Sequence, residues 1–259
     1  MQSLHDYQGF SVNLNDIASL MYYLGDDKQA LSKQTGFGDN KVRSLLDYMK
    51  DCGLASENKK SLSALGEVLK EEDKNLSEDF AKWLCLYNWS KSGNNPALYF
   101  LLNFARNGHT VKVVGDEFKI WAAENKIQTD YKKDFANKLL SLSVRALNEP
   151  EAFQDLTVIN VRQEEIYRSQ PYNVHTLLIG YVLYDNSKGR KSISITQLMD
   201  EPGNIGRFFN YGEQAINKRL DDLENLGLVQ RIQNANLNMV QLSYEGHIID
   251  FVKRYYAEN

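Results

Sequence analysis

The sequence predicts a mainly α fold with short β wings, in which two winged helix-turn-helix modules flank a helical hub. Three observations predict it. The first is a cassette written twice. Lys41 to Leu69 reads as an amphipathic helix closing on Cys52, Gly53 and Leu54, then a polar stretch, then Leu62, Ser63, Ala64, Leu65 and Gly66 opening a last helix. Ile216 to Phe251 repeats the order: a helix closing on Leu226, Gly227 and Leu228, polar residues around Asn234 to Asn238, then Leu242, Ser243, Tyr244, Glu245 and Gly246 before a last helix. The second observation is the turn Gly36, Phe37, Gly38, Asp39 between two short helices, the sequence signature of a helix-turn-helix. The third is the aromatic-rich middle, whose apolar residues recur at helical spacing.

The elements follow in order. Leu14, Ile17, Leu20, Met21 and Leu24 mark a first helix face with Asn13 or Asn15 as its cap, stopped at Gly25 and Asp26. Lys28 to Gln34 forms a second short helix. Asp39 is placed to cap a third, which turns Val42, Leu45, Leu46 and Met49 inward. In the hub, Phe80, Trp83, Leu84, Leu86, Tyr87 and Trp89 share a helix that stops at Gly93, Asn94 and Asn95. Pro96 opens the next at a position where its missing donor is not needed. Thr110 to Val114 has strand character, but Gly115, Asp116 and Glu117 before Phe118, Ile120 and Trp121 read as a helix start. Further helices carry Phe135, Leu139, Leu142, Val144 and Leu147, and then Val174 to Tyr184, with a strand at Leu156 to Val161 between them. After the linker Asp185 to Gly189, Ile193 to Ile195 alternate as a strand and Thr196 caps a helix through Leu198, interrupted at Pro202, Gly203 and Asn204. The long helix Glu213 to Asn225 follows. Arg231 to Leu242 then alternates as a two-stranded wing turning at Asn234 to Asn236, before a final helix. The expected domains are therefore an N-terminal module over 1–76, a hub over 77–185 and a C-terminal module over 190–259.

Composition narrows the function classes. With 42% hydrophobic and 25% charged residues and 4 Pro in 259, the chain has the make-up of a folded globular protein. No apolar run reaches the roughly 18 residues of a membrane span, and Met1 to Phe10 has no signal-peptide pattern, so no membrane partner and a cytoplasmic location are expected. Cys52 and Cys85 sit among apolar neighbours, where a free thiol acts as a small hydrophobe. The net charge of −4 means that any DNA contact must come from local basic clusters, because affinity for phosphates depends on neutralising charge.

A resemblance adds to this. Gly36 to Arg43, Gly53 and Leu54, Leu65 and Gly66, Trp83, Leu84, Tyr87 and Trp89, and Pro96, Ala97, Asn103 and Phe104 together resemble the bacterial domain of unknown function family 4007 over roughly 14–159. The resemblance implies association with DNA modification, since members of that family often lie near DNA phosphorothioation and anti-phage defence genes. It implies no reaction. The chain departs from the family at its start, where His5, Tyr7 and Phe10 stand in place of a histidine-containing aromatic stretch.

Candidate contact residues lie at the two helix starts and on the wings. In the first cassette Asn40, Lys41, Arg43 and Ser44 are expected to face outward, where Asn and Arg read base edges and Lys meets phosphate. In the second, Gln214, Asn217, Lys218 and Arg219 occupy matching positions, near Arg190, Lys191 and Arg207. Lys59, Lys60 and Arg231 are the expected wing contacts to phosphate. Against these, Asp221, Asp222 and Glu224 would repel phosphate along the helix's second half, although recognition helices read bases mainly with their first turns. The plainer alternative makes all these residues the solvated faces of core helices, with the winged helices docking partner subunits or dimerising.

Catalysis has less behind it. Asp116, Glu117 and Lys119 form an isolated Glu-x-Lys triplet that invites a metal-dependent nuclease reading, but early acids in a helix are explained more simply by its dipole. His5, His109, His175 and His247 have no zinc spacing, and no Gly-rich phosphate loop or nucleophile elbow is present, so no cofactor or metal is expected. The leading expectation is a non-enzymatic DNA-binding or DNA-associated accessory protein of a DNA-modification or anti-phage defence system. Its expected partners are double-stranded DNA, other defence-system proteins and a second copy of the chain. A protein-interaction adaptor is the alternative.

Overall fold

A computed structural model describes residues 7–25, 28–128, 134–234 and 237–258. Among them the chain is mainly helical, with two small three-stranded antiparallel sheets. It divides into two compact units, 1–169 and 170–259.

The first unit opens with α1 (Leu14–Tyr23), α2 (Lys28–Thr35) and α3 (Asp39–Asp51), which pack on one another. Asn13 caps α1 by accepting the Asp16 N–H at 3.0 Å, satisfying one of the otherwise orphaned donors of the first turn. Asp39 does not cap α3 as expected. Gly38 takes the N-cap position, and Asp39 is the first helical residue, accepting from the Ser32 hydroxyl. Its carboxylate still lies in the first turn, where the helix dipole favours it. α3 ends at Cys52, and Gly53 follows in the left-handed conformation (φ 78°) that glycine adopts without strain. The expected wing after α3 is reduced to one isolated bridge between Ala55 and Leu62. α4 (Ala64–Glu72) then starts on Ser63, whose side chain accepts the Gly66 N–H and donates to the Gly53 carbonyl.

The core of this unit centres on α5 (Asp79–Trp89), buried on all sides through Phe80, Trp83, Leu84, Leu86, Tyr87 and Trp89. Tyr7 is fully buried against it. Its ring stacks on Tyr48 at 3.8 Å, its hydroxyl donates to Asp51 Oδ2 at 2.7 Å, and Trp89 Nε1 donates back to that hydroxyl at 2.8 Å. Burial, and next the charge of Asp51, push the Tyr7 phenol well above its ordinary pKa, so it stays a donor. Sequence patterning foresaw Trp89 as core but had no signal for Tyr7, since a lone aromatic in an aperiodic segment carries no period. His5 lies outside the described residues.

α6 (Pro96–Asn103) follows with Pro96 in its first turn and Asn95 as cap. Strand character at Thr110 to Val114 resolves into a two-residue β1 (His109–Thr110) and α7 (Val111–Glu124), which starts there because Thr110 caps the Val113 N–H. α8 (Phe135–Ala146) packs against α6 and α7. β2 (Ile159–Arg162) and β3 (Glu165–Arg168) form a hairpin through Gln163 and Glu164, both at positive φ, and the sheet order is β1-β3-β2. β2 begins three residues later than the strand expected from Leu156, because Gln154–Leu156 is a short 3-10 turn.

The second unit opens with α9 (Thr176–Ser187), which the sequence reading assigned to the end of the hub. It packs on helices of this unit, and its apolar residues are buried all round. Then come β4 (Ser192–Ser194), α10 (Ile195–Asp200) and α11 (Ile205–Phe209). α10 is capped by Ser194 rather than Thr196, in a reciprocal capping box with Gln197. α12 (Glu213–Asn225) leads into β5 (Val229–Asn234) and β6 (Leu237–Leu242), with the sheet in the order β4-β6-β5. Of the predicted turn, Ala235 and Asn236 lie outside the described residues. The last helix, α13 (Ile249–Glu258), packs on α9 at Gly180, where a Cβ would lie 3.1 Å from the Phe251 ring.

Candidate functional site

The predicted contact residues divide sharply once their surroundings are known. At the start of α3, Asn40 and Arg43 are exposed, and Arg43 makes no ion pair among the described residues. Lys41 is engaged: its ammonium lies 2.7 Å from Asp16 Oδ2 and 4.2 Å from the centre of the Phe37 ring, tying α3 to α1. Ser44 faces the core with no exposed surface, a correction to its expected outward position. It shares the buried side of α3 with Leu45, Tyr48 and Val42, as the helical period requires. In the polar loop, Lys59 bonds to Asp47, itself nearly buried on α3, whereas Lys60 is exposed.

The same division holds at the start of α12. Gln214 and Lys218 are exposed, and Asn217 is half-buried. Arg219 points into its own unit. It donates to the Tyr172 carbonyl and the Tyr211 hydroxyl, stacks 5.6 Å over the Tyr211 ring and lies 3.7 Å from Asp222. Burial pushes the Tyr211 phenol above its ordinary pKa, and Arg219 beside it partly offsets that. Arg231 crosses from β5 to α12, donating to the Asn217 carbonyl and to Asp221, with its own N–H on Glu224 at 3.0 Å. Of the acids expected to repel phosphate, Asp221 and Glu224 are thus occupied in holding the hairpin to its helix, and Asp222 faces Arg219. Arg190 and Arg207 likewise pair with Glu201 and Asp200, and Lys191 is exposed. Tyr172, which patterning did not single out, is 83% exposed beside the Arg219 anchor.

What remains outward at each helix start is an amide and a cation: Asn40 with Arg43 on α3, Gln214 with Lys218 on α12. Both are one donor-acceptor group four or fewer residues from one charge, a pairing suited to a base edge and a phosphate.

The carboxylates of the Glu-x-Lys triplet are used in surface pairs. Glu117 Oε1 lies 3.1 Å from His109 Nδ1, and Asp116 pairs with Lys119 at 3.2 Å. Among the described residues no group of three His, Cys, Asp or Glu side chains is arranged to hold a metal ion. Cys52 and Cys85 are both free and buried. No helix among the described residues is long and apolar enough to cross a membrane.

Against known families, the model for "Protein of unknown function (DUF4007)" matches residues 23–256. The chain belongs to the DUF4007 family. The match extends well past the stretch over which the resemblance was first legible and takes in the second unit. Comparison of this DUF4007 chain with curated proteins gives no match. Among solved structures it is similar to one described as magnesium ion-bound SspB, with 15% identity and a TM-score of 0.80, covering 98% of this chain and 89% of the other. A second SspB crystal structure has the same identity and TM-score, covering 99% and 89%. At that identity the likeness is one of fold.

Proposed function

We propose that this DUF4007 protein binds double-stranded DNA as a non-catalytic accessory or regulatory component of a bacterial DNA-modification or anti-phage defence system. In this reading both cassettes are winged helix-turn-helix modules, and the protein works in the cytoplasm, with other defence proteins or as a homodimer. The observation that carries it is in the second unit. The order helix, strand, two helices, longer helix, hairpin, with the first strand paired to the last, supports the winged-helix reading. The longer helix, α12, keeps Gln214 and Lys218 exposed at the start, the part of a recognition helix that reaches base edges. Membership of DUF4007 supports the association with DNA modification that the sequence resemblance implied.

In this reading the exposed side chains make the contacts and the engaged ones support them. Asn40, Arg43, Gln214 and Lys218 meet bases and nearby phosphates, and Lys60 holds phosphate from the loop. Lys41, Lys59, Arg219 and Arg231 position the elements that carry them. A salt-dependent gel shift tests the reading. Duplex DNA is retarded at low salt, and the combined Arg43→Ala and Lys218→Ala variant binds more weakly with a flatter salt dependence. No retardation of the unaltered protein at low salt would refute it.

The adaptor reading has one observation of its own: the acidic half of α12 bonds to Arg231, giving a surface that needs no DNA to be complete. Partner capture that persists after nuclease treatment, from a protein that retards no DNA, favours it. A metal-dependent nuclease would show cleavage with magnesium or manganese that Glu117→Ala abolishes.

A further inference from the structure

The first unit has a cationic face that the helix-start reading leaves unused. On α8, Asn137, Lys138, Ser141 and Arg145 fall at i, i+1, i+4 and i+8, a single stripe along one side of the helix. A groove of about 370 Å³ separates this stripe from α7, where Lys112, Asp116 and Lys119 line it. A second groove of about 650 Å³ lies between the stripe and the turn at Gln8 and Gly9. Both include Asn137 and Ser141 in their walls, so they flank one continuous ridge.

The charge on this face runs against that of the whole chain. Among the described residues four cations, Lys112, Lys119, Lys138 and Arg145, line the grooves with one carboxylate, Asp116, in a protein whose net charge is −4. Lys112 and Lys138 make no ion pair among the described residues. The pairs Lys119–Asp116 and Arg145–Glu149 are within-helix or helix-end pairs at the surface, a kind weak enough for phosphate to displace. Gly115 lets α8 close on α7: a Cβ there would lie 3.1 Å from Asn137 Oδ1, so its absence admits the Asn137 amide to the groove. From Asn137 to Arg145 the stripe runs about 12 Å at the helical rise. At about 3.4 Å of duplex axis per phosphate on one strand, that length follows about three phosphates. With no glycine-rich loop to enclose a terminal phosphate, the face suits a polymer passing along it rather than a nucleotide held at its end.

The geometry points to a second nucleic-acid surface: the α8 stripe and its flanking grooves take the phosphodiester backbone of a DNA strand without reading its sequence. This rests on the DNA-binding reading above and adds to it a surface away from both helix starts. Replacing Lys112→Gln, Lys138→Gln and Arg145→Gln together keeps good helix formers while removing the charge. Anisotropy titrations of a fluorescein-labelled duplex against salt then give the test. Affinity at low salt falls at least about tenfold, and the log–log salt slope flattens by about three, one per lost phosphate contact. Unchanged affinity and slope in the triple variant, with the unaltered protein binding normally, would overturn this surface and leave the helix-start reading standing. An unaltered protein that binds no duplex at low salt overturns both. Micromolar binding of ATP that the triple variant loses, while duplex binding stays intact, would reassign the face to a free nucleotide. Should the triple variant fail to fold, Ser141→Cys carrying a photo-crosslinker decides: a crosslink to bound duplex supports the surface, and bound duplex without a crosslink refutes it.

Discussion

The two cassettes share a sequence plan and differ in what their middles become. Both close a helix on a left-handed glycine, Gly53 at φ 78° and Gly227 at φ 70°, and both reopen after a Leu-Ser pair. Between those landmarks the first makes a single bridge, Ala55 to Leu62, while the second pairs six residues of β5 with six of β6 and adds β4 as a third strand. The residues in between explain it. Ser56 to Ser61 has no β-branched or aromatic side chain, and Ser56 and Ser61 close the loop on themselves through their hydroxyls and backbone. In the second stretch Val229, Val240 and Leu242 share one face of the hairpin, extended by Ile193, which pairs with Val240 from β4 and is buried with it, while Ile232 and Met239 pair on the other face. Matching ends therefore specify helix stops and starts, whereas strand formation depends on the side chains between them.

The largest expected effect separates the matched glycines. At Gly66 a Cβ would lie 2.0 Å from the Leu54 carbonyl oxygen, which is backbone and cannot swing away. At Gly246 the clash is with the Tyr244 side chain, which can turn. Gly66→Ala should cost about 3 kcal/mol by urea denaturation and Gly246→Ala less than about 1. Equal losses would mean that both cassettes are equally tight. Next come the matched serines. Ser63→Ala removes a cap bonded on both sides and should cost about 1–2 kcal/mol, whereas Ser243→Ala, at an exposed side chain, should stay within about 0.5.

The strap that belongs to the second cassette alone gives a smaller effect. Arg231→Gln loses the bonds from β5 to Asn217 and Asp221, and about 1 kcal/mol with them; faster amide exchange in β5 than in α12 would show that the strap holds the hairpin. A protection pattern equal to that of the unaltered protein would remove Arg231 from this role. The smallest changes in stability belong to the exposed cations. Arg43→Ala and Lys218→Ala, taken singly, should leave unfolding midpoints within about 0.5 kcal/mol while each lowers the salt slope of DNA binding by about one. If only one of them moves that slope, the cassettes differ in function as well as in structure.

Much of the fold was legible. The helices from Leu14 to Asp51, the aromatic helix ending at Trp89, the Pro96 start and the long helix before Gly227 all carry their period and punctuation within a few residues. The strand Glu165–Arg168 was not, because it is short and has one buried apolar residue, Ile166. The place of α9 was not either: a helix buried on every side has no preferred face in its sequence to say which neighbours bury it. Candidate contact residues are nominated by type and position, and neither says which of them is available. Lys41, Lys59, Arg219 and Arg231 look like Arg43, Lys60 and Lys218 in sequence and differ only in having a carboxylate or carbonyl brought within reach.

By itself, then, the sequence determined where most helices begin and end, which of their faces are apolar and that two cassettes of one plan are present. Those properties rest on backbone hydrogen bonds and side-chain periods that span about four residues. Only the tertiary structure decided that Ser44 turns inward, that Asp221 and Glu224 hold a hairpin, and that Tyr7 closes a buried triad with Asp51 and Trp89. These contacts join residues that are distant in the chain or fix which side of a helix is covered. No local pattern encodes them, because each depends on two surfaces meeting after the helices have formed.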